Sequence, residues 1–241
     1  RFNSTASTTF INSTVQLVID HYKDLDEFCK GKGGAIFARD NYISVVNSTF
    51  IDCNAKEGGA VFWDGGENYD RTNPSRRSGT LGIGGVIENS TFIGNNATRG
   101  GAVMWTCPDG IIANSTFIGN NASEGGAVYW KGGVEYIAYA WNYKDTFAIH
   151  GANGKVVNSE FTENTATNGG AIFWTGEKGN VSNSVFTDNY AELGGAIYWQ
   201  NITETAVYDT QKRTIYTKTV TTGRNGVVEN STFFANKANY D

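Results

Sequence analysis

A Gly-Gly-Ala triplet begins at Gly33, Gly58, Gly100, Gly125, Gly169 and Gly194, and each copy continues with Ile36, Val61, Val103, Val128, Ile172 or Ile197. Five copies then pass through Phe, Met or Tyr to Trp63, Trp105, Trp130, Trp174 or Trp199, with Ala38 standing in the first. A second motif keeps step with the first. Phe50, Phe92, Phe117, Phe161 and Phe186 each lie eight residues before a Gly-Gly pair, and Phe233 heads a further copy. Asn-Ser precedes every Phe, from Asn47-Ser48 to Asn230-Ser231. Three residues after the Phe stands Cys53, Asn95, Asn120, Asn164, Asn189 or Asn236, and five after it an Ala, from Ala55 to Ala238. Self-similarity at this period is the mark of a solenoid, in which each unit buries its apolar face on its neighbours.

The triplets are spaced 25, 42, 25, 44 and 25 residues apart. Short β-branched and aromatic runs bounded by Asn, Ser and Gly read as strands and turns, not as helical repeats. Twenty-five residues suit one coil of a parallel β-helix, with equivalent residues of successive coils about 4.8 Å apart. Stacked Asn side chains then bond one another and the turn backbone. Gly-Gly supplies a corner with positive φ. The Phe column and the column Val45, Ile87, Ile112, Val156, Val181 and Val228 admit nothing polar, so both point inward. The position before the Phe holds Thr, Glu160 or Val185 and faces water. For the Trp column both directions stay open, because a corner inside the strand would break the alternation.

From each Phe to its Trp the length never changes; all variation falls between the Trp and the next Val or Ile. Three of these connections are short (39–44, 106–111, 175–180), and three are long inserts (64–86, 131–155, 200–227), in strict alternation. A hairpin is two strands wide, about 9.6 Å, which is two coils. Hairpins on alternate coils are therefore expected to stack edge to edge into a lateral sheet of up to six strands. Tyr136–Trp141 with Thr146–Ile149, and Ala206–Tyr208 with Thr214–Tyr216, have the strand pattern for it, whereas 64–86 reads more as a plain loop. Ahead of the repeat, Ile19, Tyr22, Leu25 and Phe28 follow a strand-like Val15–Val18 at helical spacing, which predicts a short helix capping the core. The expected fold is all-β: a parallel β-helix of about seven coils over 33–241 with lateral β-hairpin insertions, behind an N-terminal strand and cap over 1–32. The chain opens at Arg1 without Met and stops where the next Gly-Gly would begin, so it reads as a piece of a longer protein or as a coil face that another subunit covers.

The GGA followed by Ile or Val, alternating with Phe-x-x-Asn, resembles the repeats of chlamydial polymorphic outer-membrane proteins. The fuller strings, NSTFIGNNA at 89–97 and GGAVYW at 125–130, are also similar to adhesin-like surface proteins of methanogenic archaea. The resemblance implies a right-handed single-stranded β-helix, surface display and adhesion. It brings no catalytic motif with it.

Composition closes several other routes. The apolar runs are four to six residues long, too short to span a membrane as a helix. A net charge of −5 without a basic stripe is a poor match to nucleic acid. Cys29 and Cys53 precede consecutive Gly-Gly pairs by four and five residues, so neighbouring coils bring them into disulfide range. Two buried thiols are the other reading, and Cys107 is left without a partner. Three Cys without Cys-x-x-Cys or clustered His argue against zinc. His21 and His150 lie far apart in the repeat, and Asp52, Glu163 and Asp188 share a column that reads as solvated turn carboxylates. A weak calcium reading attaches to Asp64, Glu67 and Asp70. Ten Asn-x-Ser/Thr sequons occur. Asn47, Asn89, Asn114 and Asn230 come from the repeat itself and are expected as turn residues, leaving Asn201, Asn180, Asn96 and Asn121 as glycan candidates. Tyr136, Tyr139, Trp141, Tyr143, Tyr208 and Tyr216 either form a recognition platform or pack the hairpins onto the solenoid.

These features predict a non-enzymatic, extracellular cell-surface adhesin segment whose partners are other cells, extracellular matrix or glycans. The alternative is a structural subunit of a fibre or sheath, identical copies stacked end to end. A polysaccharide lyase or hydrolase is the weakest reading.

Overall fold

Strands fall where the repeat places them. The computed structural model of the chain describes residues 8–11, 17–19, 31–39, 41–65, 83–137, 146–209 and 215–239, with the side chains of 8–11, 17–19, 135–137, 146–148, 207–209 and 215–216 excepted. Three parallel sheets wrap one core. A phenylalanine sheet runs in the order Thr8–Ile11, Ser48–Ile51, Thr91–Ile93, Thr116–Ile118, Glu160–Thr162, Val185–Thr187 and Thr232–Phe234. An aliphatic sheet runs from Ser44–Val46 through Val86–Glu88, Ile111–Ala113, Lys155–Val157 and Asn180–Ser182 to Val227–Glu229. A tryptophan sheet holds Leu17–Ile19, Ile36–Ala38, Val61–Trp63, Val103–Trp105, Val128–Trp130, Ile172–Trp174 and Ile197–Trp199. Register is kept throughout, so equivalent residues are Cα partners on adjacent coils.

The columns are real stacks. From Phe50 to Phe233 successive ring centroids are 4.7, 4.7, 4.7, 4.8 and 4.9 Å apart. From Trp63 to Trp199 they are 4.4, 4.9, 4.6 and 4.9 Å apart. Both stacks, with the Val/Ile column, line a single core. The Trp column therefore points inward, together with the Val or Ile two residues before it. Each such side chain withdrawn from water contributes about 1.5–3 kcal/mol.

Polar ladders close the corners between the sheets. Buried Asn95 donates through its backbone N–H and Nδ2 to Asn120 Oδ1 at 3.0 and 2.9 Å, and through Nδ2 to the Phe50 carbonyl at 3.2 Å. Asn120, Asn164 and Asn189 repeat the pattern, and the Cys53 N–H joins it by donating to Asn95 Oδ1. A serine ladder runs beside it, each backbone N–H from Ser48 to Ser184 donating to the next Ser Oγ at 3.2 Å. The Asn ahead of each Ser takes φ of 48–51°, the left-handed turn that Asn tolerates.

The two glycines of each triplet serve different ends. The first sits at φ of 60–67°. The second has ordinary φ, but a Cβ there would strike the carbonyl of the matching glycine one coil on, as Gly59 would strike that of Gly101. A further column, Gly85, Gly110, Gly154, Gly179 and Gly226, lies flat beneath the indoles. In the first coil the pair is exchanged in size: Ala38 replaces the Trp and Ile43 replaces the Gly, both buried in the same core.

Three expectations need correction or sharpening. The stack begins before residue 33: Phe10 is the Cα partner of Phe50, and Leu17–Ile19 pairs with Ile36–Ala38. Ile19 is therefore a strand residue and not the start of a helix, and the capping helix expected after it lies outside the described residues. The hairpins expected in the second and third inserts are present, Gly133–Ile137 with Thr146–His150 and Ile202–Asp209 with Ile215–Thr222. They do not merge into one lateral sheet, however; each is a separate two-stranded ribbon.

Candidate interaction surface

Both hairpins grow from the residue after a Trp, and that residue is still stitched into the solenoid. Lys131 N–H donates to the Trp105 carbonyl at 2.8 Å and Gln200 N–H to the Trp174 carbonyl at 3.0 Å. The short turns on the alternate coils do the same through Thr106 and Thr175, at 3.0 and 2.9 Å. The buried hydroxyl of Thr175 also accepts the Gly132 N–H at 2.8 Å, fixing the root of the first hairpin. The returning strand is held by the indole that launched it: Trp130 Nε1 donates to the Gly151 carbonyl at 3.1 Å and Trp199 Nε1 to that of Gly223 at 2.9 Å. Trp rings thus fill the core while their N–H groups secure the hairpin ends. Glu177 of the short turn ties down the second hairpin's exit, accepting from the Arg224 N–H at 3.1 Å and Asn225 Nδ2 at 3.0 Å.

The second hairpin has two unlike faces. Thr203 and Thr221 share a hydroxyl hydrogen bond of 2.9 Å, and Thr205 and Thr219 one of 2.8 Å. Thr203, Thr205, Thr217 and Thr219 are exposed. Of the alternate positions, Ile202, Glu204, Ala206 and Val220 are half-buried and Thr222 is buried, while Lys218 is exposed. Cross-strand Thr pairs of this kind contribute about 0.2–1 kcal/mol each. The Tyr208–Tyr216 pair has the register parity of Glu204–Val220, not that of the threonines.

Beside the hairpins stands a column that the sequence reading passed over. Phe37, Phe62, Met104, Tyr129 and Phe173, joined by half-buried Tyr198, form a second apolar cluster on the other side of the tryptophan sheet. The signal was present: the residue between the Val or Ile and the Trp is always Phe, Met or Tyr. Burial pushes the Tyr129 phenol up to about 12, helped by the charge of Glu124. A run of alternating charge borders this cluster, Lys32, Glu57, Arg99 and Glu124 being bridge partners in turn. Arg99 Nη2 lies 3.3 Å from Glu57 Oε1, and Lys32 Nζ sits 5.0 Å from the Phe62 centroid.

The other candidate residues are dispersed. Tyr136 is the Cα partner of Phe147 and Tyr208 that of Tyr216, while Tyr139, Trp141 and Tyr143 lie outside the described residues. Asn96 and Asn121 are exposed rungs of an outer ladder, Asn121 Nδ2 donating to Asn96 Oδ1 at 3.0 Å. Asn180 is half-buried and donates to Glu229 Oε1 at 3.1 Å, and Asn201 is exposed at the start of the second hairpin. Cys53 is buried; Cys29, its expected partner, lies outside the described residues, as does His21. His150 ends the first hairpin opposite Gly133. Asp64 is held by Arg39, Nε and Nη2 each 2.7 Å from Oδ2, so its carboxylate is already committed to a cation of the chain; Glu67 and Asp70 lie outside the described residues. Among the described residues no cluster of three His, Cys, Asp or Glu could hold a metal. Asp52, Glu163 and Asp188 stand exposed at left-handed turns, φ 52–55°, where Gly94 and Gly119 occupy the same place in other coils. The Cys107 thiol is pushed well up by burial and by the nearby Asp64 charge, which keeps it an inert packing group.

Residues 158–173 and 183–198 match the Chlamydia polymorphic membrane protein repeat. Each segment runs from an Asn-Ser corner through the Phe, the buried Asn and the Gly-Gly pair to the outer aromatic residue, on two consecutive coils. The match covers 32 of the 241 residues and bears on the repeat unit alone. No curated protein and no solved structure matches the chain.

Proposed function

We propose that the chain is an adhesin segment of a surface protein, a rigid β-helical stalk that presents its hairpin inserts to other cells, extracellular matrix or glycans. One observation carries this reading. From Phe50 onward the inserts leave the stack at the tryptophan corner, on alternate coils, while the core and both ladders run past them unbroken. A scaffold that is constant everywhere except in loops at one corner is the arrangement by which a rigid frame carries recognition. Kinship with the archaeal adhesin-like proteins belongs to this proposal and rests on the strings at 89–97 and 125–130.

The chain supplies its own control, because the short turn 175–180 bridges the same anchors as the inserts. Replacing 131–155 and 200–227 by that turn is expected to leave the far-ultraviolet spectrum and cooperative unfolding in place and to abolish binding to cells and to a glycan array. Undiminished binding by the trimmed protein would remove the hairpins from recognition.

End-to-end assembly of copies is a second reading with an observation of its own. The coils stack in unbroken register, equivalent residues being Cα partners from one coil to the next, so a coil of a second copy can continue the same ladder. Filaments of the purified segment in electron micrographs would support it, and a monodisperse monomer at high concentration would end it.

A further inference from the structure

Among the described residues, a carboxylate of the second hairpin takes a backbone N–H of the first. In an antiparallel pair, alternate residues aim their N–H groups away from the partner strand, and a neighbouring ribbon would ordinarily accept them as a ladder. Gly133–Ile137 lies alongside both strands of the second hairpin, yet among the described residues no backbone hydrogen bond joins the two ribbons. The Val134 N–H donates instead to Glu204 Oε2 at 3.2 Å. The fit is reciprocal. Gly133 has φ of +135°, and a Cβ there would run into Glu204 Oε2. One residue earlier, a Cβ on Gly132 would meet the Thr175 carbonyl and the Thr222 hydroxyl. Glu204 lies on the half-buried face of its hairpin, between the positions of the two exposed threonine pairs. Its charge also contributes, as the smallest cause, to the raised Tyr129 phenol, which places it within electrostatic reach of the outer aromatic column.

We propose that Glu204 is a positioning residue that locks the two hairpins into one recognition surface, with the threonine face of the second hairpin turned outward. A carboxylate in the seam takes the edge N–H without continuing the ladder, so the ribbons stay together and separate sheets. The role in recognition rests on the adhesin reading; the lock itself does not.

Hydrogen exchange of the full chain, read by mass spectrometry without any ligand, tests it. In Glu204→Ala the peptide covering 133–137 is expected to exchange about tenfold faster, with peptides covering 116–118 and 160–162 unchanged. Glu204→Gln keeps an acceptor oxygen on the same stem and is expected to restore most of the protection, whereas Glu204→Asp, one methylene shorter, is not. Unchanged exchange at 133–137 in Glu204→Ala would overturn the lock. So would an equal loss across hairpin and core, which would make Glu204 a residue of general stability. Binding plays no part in this readout, so failure of the lock and failure of the adhesin reading are separate results.

Discussion

The stretch from each Phe to its Trp and the stretch from that Trp to the next Val or Ile belong to the same coil, yet they obey opposite rules. From Phe50 onward the first has one length in every copy; the second is six residues or 23 to 28. The first runs through the buried Asn ladder and the Gly-Gly corner, where each inner Asn bonds the coils on both sides and most backbone N–H groups donate to a neighbouring coil. An added residue there would break two sets of bonds at once. At the tryptophan corner the ties lie at the two ends of each connection, through the Trp carbonyls, the indole N–H groups and the residues beside them, so a ribbon can leave without disturbing its neighbours. Constancy marks the part bonded on both sides, and variation marks the part bonded only at its ends.

That contrast can be broken by substitution. Phe117, fully buried between Phe92 and Phe161, is expected to cost about 3–5 kcal/mol as Phe117→Ala in denaturant unfolding. A loss below 1 kcal/mol would mean that the stack relaxes around the gap. Two neighbouring asparagines sharpen the comparison. Asn120→Ala strips Asn95 of its acceptor inside the core and should cost about 2–4 kcal/mol, whereas Asn121→Ala, on the exposed outer ladder, should stay within about 0.5 kcal/mol. Equal effects would show that the inner ladder is no more than a surface feature.

At the outer aromatic column the expected effect depends on pH. With the Tyr129 phenol raised from 10.0 to about 12 in the folded chain, the fold favours the neutral form. Its contribution is complete below pH 10 and is lost as pH rises through about 12, amounting to about 2–3 kcal/mol. Unfolding free energies between pH 9 and 12 should therefore fall more steeply in the wild type than in Tyr129→Phe. Parallel slopes would show that the phenol is no more buried than in the unfolded chain.

Most of the solenoid was legible from residue spacing. The inward Phe and Val/Ile columns, the Asn stack and the positive-φ corners followed from copies compared position by position. Phe10 escaped because 28 residues separate it from Ala38, where every later Phe lies 13 before its Trp, and because Ser13 and Val15 stand at the Asn and Ala offsets, although Ser7-Thr8-Thr9-Phe10-Ile11 echoes Asn47-Ser48-Thr49-Phe50-Ile51. The exchange of Trp and Gly for Ala38 and Ile43 was visible only as a missing Trp, since its reason is a shared volume between two sheets. The candidate site was less legible. The hairpins were foreseen from alternation, but their separation into two ribbons was not, because an edge can be closed by a side chain as well as by a strand.

Sequence alone determined the coil, its columns and the corner at which inserts leave, because identical residues at constant spacing must occupy equivalent places on one axis. The tertiary structure decided which way the indoles face, what lies behind the tryptophan sheet and how the two hairpins meet. Those depend on the chain direction through a glycine corner and on contacts between inserts that share no repeat, and neither is written in any single period.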